Sequence, residues 1–123
     1  MFVNLDSADV FTEITGSGRP LLMIHGNWCD HRLMKGCMEE IFTHNPAEKK
    51  TGEWKRIYFD IPGMGDTVLK RDIASTDEIF DIIDDFVERV IPERIFYIAS
   101  ESYGSYLARA FVKKYPERVG GIM

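Results

Sequence analysis

The 123-residue chain has few cysteines, no long apolar run and no excess of positive charge. A cytosolic chain would keep its two cysteines, Cys29 and Cys37, reduced. No apolar run approaches the roughly 20 residues of a membrane span, and the first residues do not begin a basic-then-apolar signal peptide. The net charge of -5 offers no electrostatic footprint for nucleic acid or anionic membranes. We therefore expect a soluble, cytoplasmic protein that binds neither nucleic acid nor membrane.

Cofactor and metal patterns are also missing. Five side chains that suit zinc fall within one short segment, but they have no paired Cys-x-x-Cys spacing: His25, Cys29, His31, Cys37 and His44. Gly63-x-Gly65 is not a dinucleotide-binding loop, because Val68 stands where the third glycine is due. A phosphate loop would need a Gly-Lys-Ser/Thr sequence, which is not present. We expect no metal and no cofactor.

The distribution of apolar residues predicts alternating strands and helices in a single domain, residues 1–123. We expect strands over 2–5, 9–15, 20–24, 56–60, 95–99 and 120–123, and a surface loop over 47–55. Helices are predicted over 30–43, from a capping box at Ser75 to Val90, and from Tyr103 to Tyr115. This order of elements favours an α/β fold, a mostly parallel sheet with helices on both faces.

Individual helix residues carry further expectations. The methionines of the first helix, Met34 and Met38, are predicted to pack on the sheet, and Cys37 to be partly buried. The acidic residues of the second helix are interpreted as a solvated face: Asp77, Glu78, Asp81, Asp84 and Asp85.

The most informative segment is a sharp turn between the strand at 95–99 and the helix that follows, with Ser102 at its apex. Such a turn exposes the apex side chain at the end of the sheet, and its strain requires small residues two positions away. Ser100 and Gly104 are those residues. A competing interpretation is that the Ser102 hydroxyl simply caps the helix.

Three other segments appear in a matching order. His25-Gly26 follows a buried strand, Asp60-Ile61-Pro62-Gly63-Met64-Gly65 follows the next, and Tyr115-Pro116-Glu117-Arg118-Val119 follows the turn helix. Together with the turn, they resemble the landmarks of the α/β-hydrolase superfamily, in which the turn reads G-x-S-x-G. The chain differs at Ser100, which replaces the first glycine, and at Ser105, where a further glycine is common.

This resemblance implies an α/β-hydrolase fold truncated after the helix that bears the nucleophile, the N-terminal portion of the fold. It also implies a serine hydrolase that cleaves an ester or related acyl bond of a small molecule through an acyl-Ser102 intermediate. The backbone N–H groups of Asn27 and Tyr103 would form the oxyanion hole. Trp28 would line the acyl pocket, unless it packs in the core. Dehalogenases and most epoxide hydrolases fit less well, because they place aspartate where this chain has Ser102.

In that superfamily the triad acid and histidine follow the serine along the chain. All three histidines here precede Ser102, so we expect the isolated chain to be weakly active or inactive. The alternative is a non-catalytic binding or assembly module derived from the same fold. We also expect the apolar sheet edge beside strand 95–99 to pair with a second copy, giving a homo-oligomer.

Overall fold

A computed structural model describes residues 1–44 and 53–123 of the chain. Most of the loop predicted over 47–55 lies outside these residues. Trp54 and Lys55 were wrongly included in it, because both belong to a strand.

Seven strands and three helices make up the described chain. The strands are β1 (Phe2–Asn4), β2 (Ala8–Thr15), β3 (Arg19–Ile24), β4 (Trp54–Phe59), β5 (Val68–Leu69), β6 (Phe96–Ser100) and β7 (Val119–Ile122). The helices are α1 (His31–His44), α2 (Thr76–Val90) and α3 (Tyr103–Lys114). The predicted elements are confirmed to within about two residues. Only β5 was missed, because a two-residue strand carries no periodicity.

The strands form one mixed sheet in the order β1-β2-β4-β3-β6-β7, with β5 paired to the start of β2. The strands β4, β3, β6 and β7 are parallel to one another, whereas β2 pairs antiparallel with both β1 and β4. A parallel neighbour requires a crossover connection, and α1, α2 and α3 lie in those connections. The carboxyl ends of β3, β4 and β6 therefore meet at one edge of the sheet.

Alternate residues of the central strands point to two separate apolar layers. Leu22 and Ile24 of β3 face the larger layer, which includes the buried faces of α2 and α3. Leu21 and Met23 face the smaller layer, which Met34 and Met38 of α1 complete. The helices thus cover both faces, and the predicted packing of the methionines is confirmed.

Two expectations about helix residues are wrong. Cys37 is exposed rather than partly buried. Asp84 is buried rather than solvated: its carboxylate accepts a hydrogen bond of 2.9 Å from the Tyr115 hydroxyl and pairs with Lys114. The side chain of Asp84 therefore ties α2 to the end of α3. Periodicity cannot distinguish this residue from its exposed acidic neighbours.

Candidate active site

Ser102 lies at the junction of β6 and α3 in a backbone conformation that serine rarely adopts. Its φ is 51° and its ψ is -119°, and the residue is exposed at the end of the sheet. Positive φ at a non-glycine residue costs about 1–3 kcal/mol and persists only where the surroundings impose it. Ser102 occupies the N-cap position of α3, but its side chain makes no capping hydrogen bond. The capping interpretation is therefore wrong, and the strain leaves the hydroxyl exposed.

Gly104 lets the turn pack directly against the end of β3. A Cβ at this position would lie 2.3 Å from the backbone oxygen of Ile24 and 2.5 Å from that of His25. The backbone N–H of Glu101 also donates to the Ile24 oxygen, at 3.1 Å. The sequence requirement for a small residue after Ser102 thus has a structural cause, since any side chain would separate the turn from β3.

The backbone N–H groups of Asn27 and Tyr103, predicted to donate to an oxyanion, lie just after two neighbouring strands, β3 and β6. Ile24 of β3 and Ser100 of β6 are register partners. Asn27 lies three residues after Ile24, and Tyr103 lies three residues after Ser100. Tyr103 is the first residue of α3, where a backbone N–H has no partner within the helix. Both groups therefore lie at the same edge of the sheet as Ser102.

His25 is a buried residue whose imidazole ring links the loop after β3 to the loop after β4. The Ile61 N–H donates to Nε2 of His25 at 3.0 Å, so Nδ1 carries the proton and donates to the Gly26 oxygen at 2.7 Å. Burial lowers the pKa of His25 from its usual value of 6.5. The neutral ring thus holds the loop after β3 against the loop after β4, and neither nitrogen is available to act as a base.

Asp60 organises the loop after β4 and the start of α1, a role that the sequence did not reveal. One carboxylate oxygen accepts from the backbone N–H of His31 at 2.7 Å and from its Nδ1 at 2.8 Å. The other oxygen accepts from the Asp66 N–H at 2.8 Å. Asp60 is fully buried, and a Cβ at Gly65 would lie 2.3 Å from its Oδ2. The aspartate of the Asp-x-Pro-Gly-x-Gly sequence was the available signal.

Within residues 1–44 and 53–123, three side chains come close enough to share a metal ion, those of Asp30, His31 and Asp60. Of the five zinc-type side chains that fall within one short segment of the sequence, only His31 belongs to this group. Each of these three groups already has a partner. The Asp30 carboxylate accepts bonds from the backbone N–H, Nε and Nη2 of Arg32, and these bonds lower its pKa to about 2. The cluster is therefore explained by its own hydrogen bonds.

Trp28 is not a core residue. Its side chain is 92% exposed and its φ is 61°. It lines a cleft of about 260 Å³ between the loops after β3 and β4, together with Cys29, Asp30, Gly63, Met64 and Gly65. Ser102 and Tyr103 do not belong to the lining of this cleft. The structure thus brings Asn27 and Trp28 to the same loop but leaves the Trp28 cleft separate from Ser102.

No protein-family model matches the chain, and no curated protein matches it either. Solved structures do match. An alpha/beta superfamily hydrolase from Oenococcus oeni PSU-1 is 28% identical, with a TM-score of 0.73 over 94% of this chain and 40% of that one. A thermophilic esterase from Thermogutta terrifontis is 24% identical, with a TM-score of 0.74 over 94% of this chain and 39% of that one.

A haloalkane dehalogenase from Agrobacterium tumefaciens C58 has a TM-score of 0.81 at 20% identity, over 99% of this chain and 38% of that one. The esterase and the dehalogenase share the fold with this chain, and their different chemistries show that fold alone does not select a reaction. The chain spans about two fifths of the length of each of these proteins. Its structural neighbours are α/β hydrolases, and the chain has the α/β-hydrolase fold.

Proposed function

We propose that this chain carries the nucleophile and oxyanion hole of a serine hydrolase that cleaves an ester or related acyl bond of a small molecule. The observation that carries the proposal is the conformation of Ser102: φ 51°, at an exposed strand-to-helix apex, with a hydroxyl that does not cap the helix. Strain of this kind is retained where a side chain must be presented to a ligand.

The proposed reaction has two steps. Oγ of Ser102 attacks the acyl carbon, its proton passes to a base, and the alcohol leaves with a proton to give an acyl-serine. Water then attacks the acyl-serine, which releases the acid and restores the hydroxyl. Negative charge on the carbonyl oxygen would be stabilised by the backbone N–H groups of Asn27 and Tyr103. Trp28, whose side chain is exposed on the same loop as Asn27, would contact the acyl or leaving group of a substrate that extends from Ser102 towards the Trp28 cleft.

The two histidines whose side chains the structure describes, His25 and His31, do not supply the base of this reaction. His25 is engaged by Ile61 and Gly26, and Nδ1 of His31 is engaged by Asp60, with its Nε2 3.4 Å from Glu13. A serine hydroxyl without a base is a poor nucleophile at neutral pH. We therefore propose that the triad acid and histidine come from outside this chain, and that the chain alone hydrolyses esters slowly.

The first experiment is hydrolysis of an activated aryl ester by the chain and by Ser102→Ala, each with and without added imidazole as an external base. A rate that rises with imidazole and depends on Ser102 would support the proposal. Ser17→Ala is the matched control, because Ser17 lies in the exposed turn before β3. Equal rates for the chain and Ser102→Ala at every imidazole concentration would contradict it.

The engaged histidines also favour a second candidate, a non-catalytic binding or assembly module. Under this alternative, Ser102→Ala would leave ester hydrolysis unchanged. An assembly module would form a homo-oligomer by pairing with a second copy along β7, the last strand in the sheet order. Ile122 and Met123 are 50% and 69% exposed there. Light scattering at micromolar concentration tests it, and a strictly monomeric species would exclude the homo-oligomer.

None of the helices in residues 1–44 and 53–123 has the length and apolar character needed to cross a bilayer. The cytoplasmic location and the single domain over residues 1–123 stay predictions from the sequence.

A further inference from the structure

We infer that the hydroxyl groups of Ser100 and Ser105 form a bracket that holds Ser102 in its left-handed conformation, which makes both serines positioning residues. The inference deepens the proposed function, because it concerns the proposed nucleophile. The conformation of Ser102 can nevertheless be measured whether or not its hydroxyl reacts.

The bracket closes the base of the turn. Oγ of Ser100 and Oγ of Ser105 lie 3.0 Å apart, and either atom can donate the hydrogen bond. Both residues are partly buried, so water competes with this bond less than it would at an exposed site. Ser102 lies between them along the chain, at the apex of the segment that the bond closes.

The Ser100 end of the bracket is fixed in the sheet. Ser100 is the last residue of β6 and the register partner of Ile24 in β3. On the other side, its N–H donates to the Met123 oxygen at 2.9 Å. The Ser100 hydroxyl therefore projects from backbone that is paired with strands on both sides, and it gives the bracket a rigid anchor.

The Ser105 end contacts the apex itself. The backbone N–H of Ser105 donates to the Ser102 oxygen at 2.8 Å, while its hydroxyl reaches Ser100. One residue thus connects the strained peptide to the end of β6. Without the Ser105 hydroxyl, the first turn of α3 would keep its bond to Ser102 but lose its side-chain connection to the strand.

The two serines are also the two positions at which this chain departs from the glycines of the α/β-hydrolase turn. A single side chain at either position would add a hydroxyl without a partner at a partly buried site, which is unfavourable. As a pair, each hydroxyl satisfies the other. The departures therefore compensate one another, and the strain at Ser102 is retained without the first glycine.

The test compares the backbone conformation of Ser102 in three variants by NMR, using its 13Cα and 13Cβ chemical shifts. We expect the positive-φ shifts to be lost in Ser100→Ala and Ser105→Ala, and kept in Ser105→Thr, which retains a hydroxyl. Ser17→Ala, in the exposed turn before β3, should leave the Ser102 shifts unchanged. A change in overall stability alone would not move the shifts of one residue in this pattern.

Urea unfolding of the same variants supplies the second readout. We expect each alanine variant to raise the unfolding equilibrium constant about fivefold, and the double variant to raise it no further, because both changes remove the same bond. Alanine is a better helix former than serine, so a loss at Ser105 cannot come from helix propensity.

Unchanged Ser102 shifts in both alanine variants, a Ser105→Thr spectrum that matches Ser105→Ala, or additive losses of stability would each overturn the bracket. Failure of the hydrolase proposal would appear differently. In that case the NMR pattern would follow the bracket, while ester hydrolysis would remain the same in Ser102→Ala.

Discussion

The loop after β6 and the loop after β4 lie at the same edge of the sheet but are built in opposite ways. After β6, Ser102 has a strained backbone, an exposed position and a hydroxyl that does not cap its helix. After β4, Asp60 is fully buried, and its two carboxylate oxygens accept three hydrogen bonds. His25, also fully buried, connects the β4 loop to the loop after β3.

Asp60 and His25 therefore stabilise the loops around the site, whereas Ser102 is exposed where a ligand can reach it. Buried polar atoms with complete hydrogen bonding stabilise one arrangement of the loops. An exposed hydroxyl on strained backbone contributes nothing comparable to folding. Stability should therefore depend on Gly104, Asp60 and His25, whereas chemistry should depend on Ser102.

The largest expected loss of stability is in Gly104→Ala. The new Cβ would lie 2.3 and 2.5 Å from two backbone oxygens of β3 and its exit, which cannot move aside as a flexible side chain would. We expect the free energy of unfolding to fall by about 3 kcal/mol, measured by urea denaturation.

Gly36→Ala is the matched control for this substitution. A Cβ at Gly36, in the middle of α1, would meet no atom within 4 Å. Alanine should therefore raise the unfolding free energy by about 0.5–1 kcal/mol through helix propensity. Similar losses in the two variants would show that the turn does not pack tightly on β3.

Asp60→Asn should cost about 2 kcal/mol of unfolding free energy. The amide keeps one oxygen, so the N–H groups of His31 and Asp66 can no longer both be satisfied. Asp66→Asn is the control, since Asp66 is exposed and joins the network through its backbone. It should change the unfolding free energy by less than about 0.5 kcal/mol. Equal losses of unfolding free energy in Asp60→Asn and Asp66→Asn would show that the Asp60 carboxylate does not organise this loop.

Protonation of His25 should make stability fall as the pH is lowered from 7 to 5. Burial lowers the pKa of His25 in the folded chain, so the unfolded chain takes up its proton first, near pH 6.5. The unfolded state then binds more protons, and the unfolding free energy drops by at most about 1.4 kcal/mol per pH unit.

Urea denaturation at several pH values measures this slope, and His25→Gln should flatten it. The glutamine oxygen can still accept from the Ile61 N–H but does not titrate in this range. A slope that is unchanged in His25→Gln would assign the pH dependence to other groups.

Trp28→Ala should have the smallest effect on stability, within about 0.5 kcal/mol by thermal or urea unfolding, because the side chain is 92% exposed. If the cleft beside it receives the acyl or leaving group, the same variant should raise the KM for a bulky ester. Substitution of an exposed residue rarely changes the unfolding free energy by more than about 1 kcal/mol, so a larger loss would mean that Trp28 packs more closely than its exposure indicates.

Sequence patterns predicted the order of the elements, the turn at Ser102 and the helices on both faces. They succeeded because buried strands, capping residues and glycine turns each depend on local sequence. They failed for Asp84 and Asp60, whose partners are distant along the chain: Tyr115 for Asp84, and His31 for Asp60. The bond between Ser100 and Ser105 was also not predicted, because it depends on the three-dimensional course of the turn and not on a local sequence pattern.

The most direct test of the account is covalent labelling of Ser102 by a fluorophosphonate, located by peptide mass spectrometry. Oγ of the serine would bond to phosphorus as fluoride leaves, with its proton released to solvent. With imidazole added as the external base, we expect Ser102 to be labelled before Ser17, Ser100 or Ser105, and this labelling to be lost in Ser102→Ala. Labelling of Ser102 no faster than that of the other serines would contradict the claim that this turn presents a nucleophile.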